Sequence, residues 1–327
     1  MSTRSWCLAV GGVVLVTLPL WIGNTYYVNI ASQVLVFAVF ALALNVLVGY
    51  AGLVSLGHAG LFAIAAYTGA LLLQAGCAHG VAVVGAIAVT LIAAAVFAVL
   101  ALRATGIGFL MITLALGQIV WGISYRWVDL THGENGVKVV SRPEPFGFSL
   151  TSAAVFYYTT LIVFLFAVVA MSVFVSSPLG VSLRGTRDQP RRMTALGYNV
   201  WLIRFLAFLF SGFWSAIAGL LFVYYNNFIS PPAATLQASA EVLLMVISGG
   251  SGTLLGPVAG AVIVVITKTI VSTWVERWNL VLGLIFVAII SFMPEGLVPG
   301  SVRLWHAGLK LMRAREAATA DLPGPLP

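Results

Sequence analysis

The sequence predicts an all-α fold, a polytopic transmembrane bundle of about 8–10 spans with a broken or re-entrant segment near residues 237–256. Composition is the first observation. Hydrophobic residues make up 61% of the 327 and charged residues only 8%, against about 25% charged in soluble domains. Second, the apolar residues are gathered into runs, and a hydrocarbon core about 30 Å thick takes roughly 20 such residues per helix. Third, the arginines cluster between the runs rather than inside them. Helices are the form that satisfies every backbone polar group within one segment.

In chain order the predicted spans are Trp6 to Gly23, Val28 to Val48, Ala59 to Leu73, Val81 to Ala101, Ile107 to Ser124, Ala153 to Val175, Phe205 to Tyr225, Pro257 to Val271 and Leu280 to Phe292. Arg4 ahead of the first run resembles a secretory signal, but no small-x-small cleavage pattern follows, so the run is read as a retained helix. The run Val242 to Ile247 is too short to cross, and Ser248-Gly249-Gly250-Ser251-Gly252 follows it. Non-helical backbone at membrane depth is tolerated only where protein or a water-filled cavity covers it, so this break hints at a pathway. Residues 1–316 are expected to form one membrane domain, and the Pro-bearing tail 317–327 is expected to be disordered.

Charge placement sets the expected orientation. Between Arg184 and Arg204 there are five arginines and one acid, Asp188, whereas Tyr125 to Leu150 is balanced. Short loops rich in Arg and Lys stay cytoplasmic. Residues 177–202 and both termini are therefore expected inside, with the 125–150 loop outside. A single crossing over residues 237–273 would strand the basic tail on the wrong side. The net charge of +7 thus reflects topology, not a nucleic-acid partner. The two cysteines, Cys7 and Cys77, form no ligand-spaced cluster, so neither a metal site nor a disulfide framework is implied.

Two stretches, 49–60 and 249–260, each place glycines eight residues apart (Gly52 and Gly60, Gly252 and Gly260) ahead of an apolar helix. Paired Gly/Pro interruptions point to a transporter site; close helix packing explains glycines equally well. Ser55, Gly57, His58, Gln118, Glu241, Gly249 and Gly252 are the candidate pathway residues. For His58 a neutral, hydrogen-bonded packing role stands beside a cavity-facing one. Glu241 either attracts a substrate ammonium group or lies in the outer interface. Gln118 and Thr113, five apart, do not share a tight helix face, and interhelical hydrogen bonding accounts for them. Lys268 is expected to snorkel to an interface, with Tyr125, Trp274 and Trp278 as interfacial anchors.

No G-x-x-x-x-G-K-[ST] occurs, so ATP is not expected to bind this chain. The basic stretch 177–199 is the one long polar segment able to offer a folded surface outside the lipid. Proline suits the first turn of a helix, and Asp188 is a candidate N-cap, so a short helix is expected to start near Pro190.

The ordered motifs carry a resemblance. Residues 45–60 through Ala66-Tyr67-Thr68-Gly69, Thr113 to Gln118, Leu130 to Gly136, Gly180 to Gly197, Ala216 to Leu220, Ile229-Ser230-Pro231 and Gly249 to Ala261 resemble the permease subunits of ABC importers for branched-chain amino acids, the LivM type. The similarity runs from about residue 28 to 294. It implies a heterodimer with a second, LivH-like permease, two cytoplasmic ATPases that use ATP, and a periplasmic or lipid-anchored binding protein delivering leucine, isoleucine or valine, all at a bacterial inner membrane. It also makes the 177–202 segment a coupling surface through Arg184, Arg187, Asp188, Arg191, Ala195, Leu196 and Gly197. Two departures stand out: Gln189 to Thr194 interrupt the usual coupling sequence, and His132 replaces a glycine of a T-G-G pattern.

Three classes follow. An ABC importer permease fits the motifs, with urea, short amides or other small polar solutes as alternative cargo. A secondary transporter would need paired intramembrane acids or an ion site, for which Glu241 is the sole candidate acid. A membrane enzyme lacks any His/Asp/Glu cluster in the spans, so no catalytic residue is assigned.

Overall fold

The computed structural model describes residues 16, 17, 19, 24–139, 152–274, 278–293, 295–300 and 303. The expected first span, the second half of the 125–150 loop and the 317–327 tail lie largely or wholly outside these. The apolar runs are helices: α1 (Thr25–Asn45), α2 (His58–Gln74), α3 (His79–Ala101), α4 (Ile107–Arg126), α5 (Ala153–Ser176), α6 (Pro178–Asp188), α7 (Pro190–Ala195), α8 (Val200–Asn226), α9 (Leu236–Gly249), α10 (Gly256–Val271) and α11 (Trp278–Phe292). A two-stranded antiparallel ribbon pairs β1 (Val137–Lys138) with β2 (Phe228–Ile229), in the register Val137 with Ile229.

Among the described residues, five helices are long and apolar enough to cross a membrane, and four shorter apolar helices accompany them. Burial separates their roles. The stretch Thr25–Ala51 is 83% buried over its most apolar window, while α3, α4 and α5 are 22–28% buried. So α1 is the central post, packed by α5, α8, α9 and α10, and α3, α4 and α5 turn apolar faces outward.

The short run at 242–247 becomes the longer helix α9 because the polar residues of its N-terminal turns find partners: Gln237 on Asn279, Ser239 on the Ala59 amide and Glu241 on Lys268. Thr235 caps it, accepting from the Ala238 amide. Helices α9 and α10 pack along each other as a hairpin joined by residues 250–255. The segment 236–271 therefore runs out and back, and residues 295–300 come against Gly250 at its turn, through Glu295, Gly296 and Pro299.

Two breaks in the helical bundle meet at that turn. Helix α1 continues as a π-helical turn, Val46–Ala51, and stops at Gly52 in the left-handed region, φ 68°. Non-helical chain from residue 53 to 57, bent at Leu56, then leads into α2. Its backbone is held by neighbours: the Leu56 amide donates to Thr113 Oγ1 at 3.2 Å, and the Ala59 amide donates to Ser239 Oγ at 3.2 Å. Thr113 is thus a hydrogen-bonding link between α4 and this segment, as its polarity suggested.

The close approach of α4 to the 56–60 segment leaves no room for side chains: a Cβ at Gly57 would strike the Thr113 carbonyl oxygen, and Gly117 lies against Gly57. Gly122, on the same helix α4, has open space around it. Gly57→Ala is therefore expected to lower stability in detergent by about 1–3 kcal/mol through overpacking, with Gly122→Ala near neutral. Thermal unfolding of the two variants checks this, and equal melting temperatures would contradict the packing.

Candidate functional site

The two glycine-rich stretches are in direct contact. A Cβ at Gly49 would run into the Gly252 backbone and Asn45 Oδ1. Asn45 lies buried at the end of α1 and reads both polar groups of the facing turn. Its Nδ2 donates to the Thr253 carbonyl at 2.8 Å, and its Oδ1 accepts from the Gly252 amide at 2.9 Å. Gly252 has φ 81°, a conformation that glycine adopts without steric cost. Gly249 presses against the Gly256 carbonyl, which sets the tight crossing of α9 and α10.

His58 is enclosed by a directional chain. Ser211 Oγ donates to the Ala43 carbonyl at 2.6 Å, so it accepts from His58 Nε2, 2.9 Å away. Ser55 Oγ lies 2.8 Å from His58 Nδ1 and accepts from the Gly57 amide at 3.3 Å, which assigns its own proton to Nδ1. Both ring nitrogens are used in a neutral imidazole, the tautomer following from the network. These are the bonds that a hydrogen-bonded packing role for His58 requires. Gln118 is half-buried on α4.

A cavity of about 420 Å³ opens at the other end of α1, within the range of small-molecule sites. One wall is aromatic: Phe37, Phe40, Phe62 and Phe222. Phe40 stacks on Phe62 at 4.6 Å between centroids, and Phe62 meets Phe222 at 5.2 Å. The opposite wall carries Gln237, Ala238, Glu241, Val242 and Lys268, and the mouth carries Phe228, Ser230, Pro232 and Thr235. Glu241 is buried and accepts an ion pair from Lys268 Nζ at 2.9 Å. Gln237 Nε2 donates to Asn279 Oδ1 at 3.1 Å. Lys268 sits 4.8 Å from the Trp278 ring centroid, a cation–π distance.

This corrects one expectation. Lys268 does not simply snorkel to an interface; it neutralises Glu241 at the cavity wall, under Trp278. Glu241, for which a substrate ammonium and the outer interface both stood open, lines the cavity. Trp274 is 86% exposed, as an anchor should be.

The basic segment is helical rather than a loop. Ser177 caps α6 by accepting from the Gly180 amide, with Pro178 in the first turn. A second helix does begin at Pro190, but Asp188 is not its N-cap: Asp188 ends α6 and Gln189 occupies the cap position without a side-chain bond. Arg191, Ala195, Leu196 and Gly197 are exposed, as is Arg184, which reaches the Val175 carbonyl at 3.4 Å. Arg187 turns differently: its guanidinium donates to the Gly49 carbonyl, tying the basic segment to the glycine junction. Gly197 closes α7 with φ 86°. His132 also sits in the left-handed region, at φ 57°, the conformation a glycine would supply there.

The sequence reading missed the roles of Asn45, Ser211 and Lys268. Asn45 and Ser211 are single polar residues in apolar runs with partners more than 150 positions away. The signal for Lys268 was available: Glu241 lies 13 residues before Leu254 and Lys268 lies 13 after Leu255, the spacing a hairpin brings together.

Comparison with known proteins adds the family. Residues 26–290 match the family described as branched-chain amino acid transport system, permease component. The chain is similar to the high-affinity branched-chain amino acid transport system permease protein LivM of Salmonella typhimurium, 31% identical over 83% of this chain and 70% of that one. The LivM protein of Escherichia coli K12 is 30% identical over the same shares. The autoinducer 2 import system permease protein LsrC of Escherichia coli O9:H4 is 29% identical over 51% of this chain and 48% of its own. No solved structure matches the chain.

His58→Leu leaves the Ser55 and Ser211 hydroxyls without their partner and is expected to cost about 1–3 kcal/mol of stability. Transport per folded molecule should stay within about twofold of wild type, a difference worth well under 1 kcal/mol. Thermal unfolding and uptake normalised to folded protein check both, and unchanged stability with lost transport would restore His58 to the pathway.

Proposed function

The chain belongs to the branched-chain amino acid transport permease family, and on that premise we propose that it is the membrane subunit of an ATP-driven importer carrying leucine, isoleucine and valine into the cytoplasm. One observation carries the reading. A single matched stretch contains a cavity at one end of the bundle and an exposed basic helical segment at the other. A pore that takes its energy from outside needs both: a place for solute and a surface for the motor.

The cavity is fit for a small solute with an apolar body and a polar end, because aromatic rings on one side face Gln33, Asn226, Gln237, Glu241 and Lys268. The segment 177–199 is fit for docking because it carries Leu196, 67% exposed, and Tyr198, 47% exposed, among its arginines. Two ATPase subunits are proposed as its partners, with a second LivH-like permease completing the pore and a binding protein delivering solute to the cavity end. The proposed setting is a bacterial inner membrane with the basic segment and both termini cytoplasmic, since Arg-rich short segments are retained inside. Residues 1–316 then make the permease domain. The glycine junction, with Ser55, Gly57, Gly249 and Gly252, lies at the cytoplasmic end of this path, between the cavity and the motor.

Two measurements test the reading. Vesicles holding the chain with its partner subunits should accumulate leucine only with ATP, and vesicles holding the chain alone should not accumulate it under a proton or sodium gradient. Deleting Asp188 to Met193 should reduce uptake to background with the protein still in the membrane. In intact cells a cysteine placed at Leu196 should resist an impermeant maleimide added from outside; ready labelling there, or ion-driven uptake by the chain alone, would overturn the proposal.

A further inference from the structure

Family membership leaves the choice of solute open, since the similar chains include one named for autoinducer 2 import. The side chains of the cavity are where that choice must be made. Gln33, Asn226, Ser230, Thr235 and Gln237 give it uncharged polar groups, and its charged feature is the ion pair on adjacent antiparallel helices, Glu241 on α9 and Lys268 on α10. Their side chains are 11% and 39% exposed respectively. Isolated charges at membrane depth are costly and face a partner or a cavity; here they do both.

Stability alone does not account for the pair. Replacing a buried ion pair by apolar residues of similar size is often neutral or stabilising, because desolvation offsets the attraction. What the pair does provide is a charge-neutral wall that can open. Lys268 rides on a flexible four-carbon stem and is the more exposed partner. Glu241 is anchored by burial, with Gln237 Nε2 3.4 Å from its Oε1.

Resting on the importer reading above, we propose that the Glu241–Lys268 pair is exchanged for the two charges of a neutral α-amino acid. The ammonium group replaces Lys268 on Glu241, the carboxylate takes the Lys268 ammonium, and the apolar side chain lies against Phe37, Phe40, Phe62 and Phe222. No charge is left unpaired in the bound state. An amine lacking the carboxylate would strand Lys268, and an acid lacking the ammonium would strand Glu241. Each mismatch leaves one charge of the pair uncompensated at the cavity wall, most costly for the buried Glu241. Urea and short amides carry no charge to exchange, so the pair would stay closed against them.

The test uses the complete importer in lipid nanodiscs, with Cys7 and Cys77 replaced by Ser and Ala238, on the cavity wall, replaced by Cys. Maleimide labelling of position 238 is followed with leucine, 3-methylbutylamine, 4-methylpentanoate or urea present. Leucine is expected to protect, and the other three to need at least about tenfold higher concentration, equivalent to 1.4 kcal/mol. Adding Glu241→Gln with Lys268→Gln, which keeps hydrogen-bonding side chains of similar reach, should weaken leucine protection by about the same factor. Equal protection by all four compounds, or undiminished protection in the doubly neutral variant, would overturn the proposal. The comparison of solutes uses the unaltered pair and so does not depend on that variant folding. ATP-driven leucine uptake by the same preparation separates the two claims: uptake without protection sinks the site, and protection without uptake supports the site but sinks the importer reading.

Discussion

A backbone that leaves the helix at membrane depth must find its hydrogen bonds within the protein, because the lipid offers none. In this chain several side chains meet the requirement, and one of them, an amide, serves both helix breaks at once. Asn45 presents a donor and an acceptor, and the 250–255 turn presents a carbonyl and an amide at matching positions. The arrangement fixes much else. It holds the end of α1 against the turn between α9 and α10, and it requires Gly49 and Gly252 to be without side chains. Through the Gly49 carbonyl it also brings in Arg187 from the basic segment. Hydrogen bonds of this kind are worth only about 0.5–1.5 kcal/mol net when made, but buried groups left without them cost more.

The same economy of polar groups explains why the two ends of the bundle differ. At the basic end, polar backbone groups are satisfied by short, internal hydrogen bonds among Asn45, Ser55, His58 and Ser211, and glycines close the remaining space. At the other end, aromatic rings leave a cavity, and Glu241 and Lys268 cancel each other on its wall. Helix α1 spans both, which makes it the element through which an event at the basic segment would be felt at the cavity. In the importer reading, the junction is the place where a docked ATPase would pull on the pore.

The helices themselves were legible in the sequence because their apolar runs are continuous, although those at 59–73, 257–271 and 280–292 are shorter than the roughly 20 residues a crossing takes. The observed α2, α3, α4, α5, α10 and α11 begin or end within a few residues of the expected runs, with the differences at polar caps such as His58 and Arg126. Helix α9 was shortened in the sequence reading because Gln237, Ser239 and Glu241 look like interface residues in a linear scan; in the fold they face Asn279, the Ala59 amide and the cavity. The N-cap at Asp188 was misjudged for a local reason. Proline at 190 starts a helix, but Gln189 leaves the helical region to bridge α6 and α7, so Asp188 is still inside the preceding helix. The site was less legible than the fold. Its decisive contacts join residues far apart in the chain, and a lone Asn or Ser in an apolar run does not announce its partner.

The central claim is that Asn45 holds the two helix breaks together, and amide hydrogen exchange across residues 249–256 in lipid nanodiscs tests it most directly. In the wild type the Gly252 amide should be strongly protected, and Asn45→Ala should speed its exchange at least about tenfold, the equivalent of 1.4 kcal/mol of local opening. Amides in the middle of α5, which lies away from the junction, should be unaffected. Equal protection of Gly252 in both proteins would show that the breaks are held without Asn45 and would contradict the account.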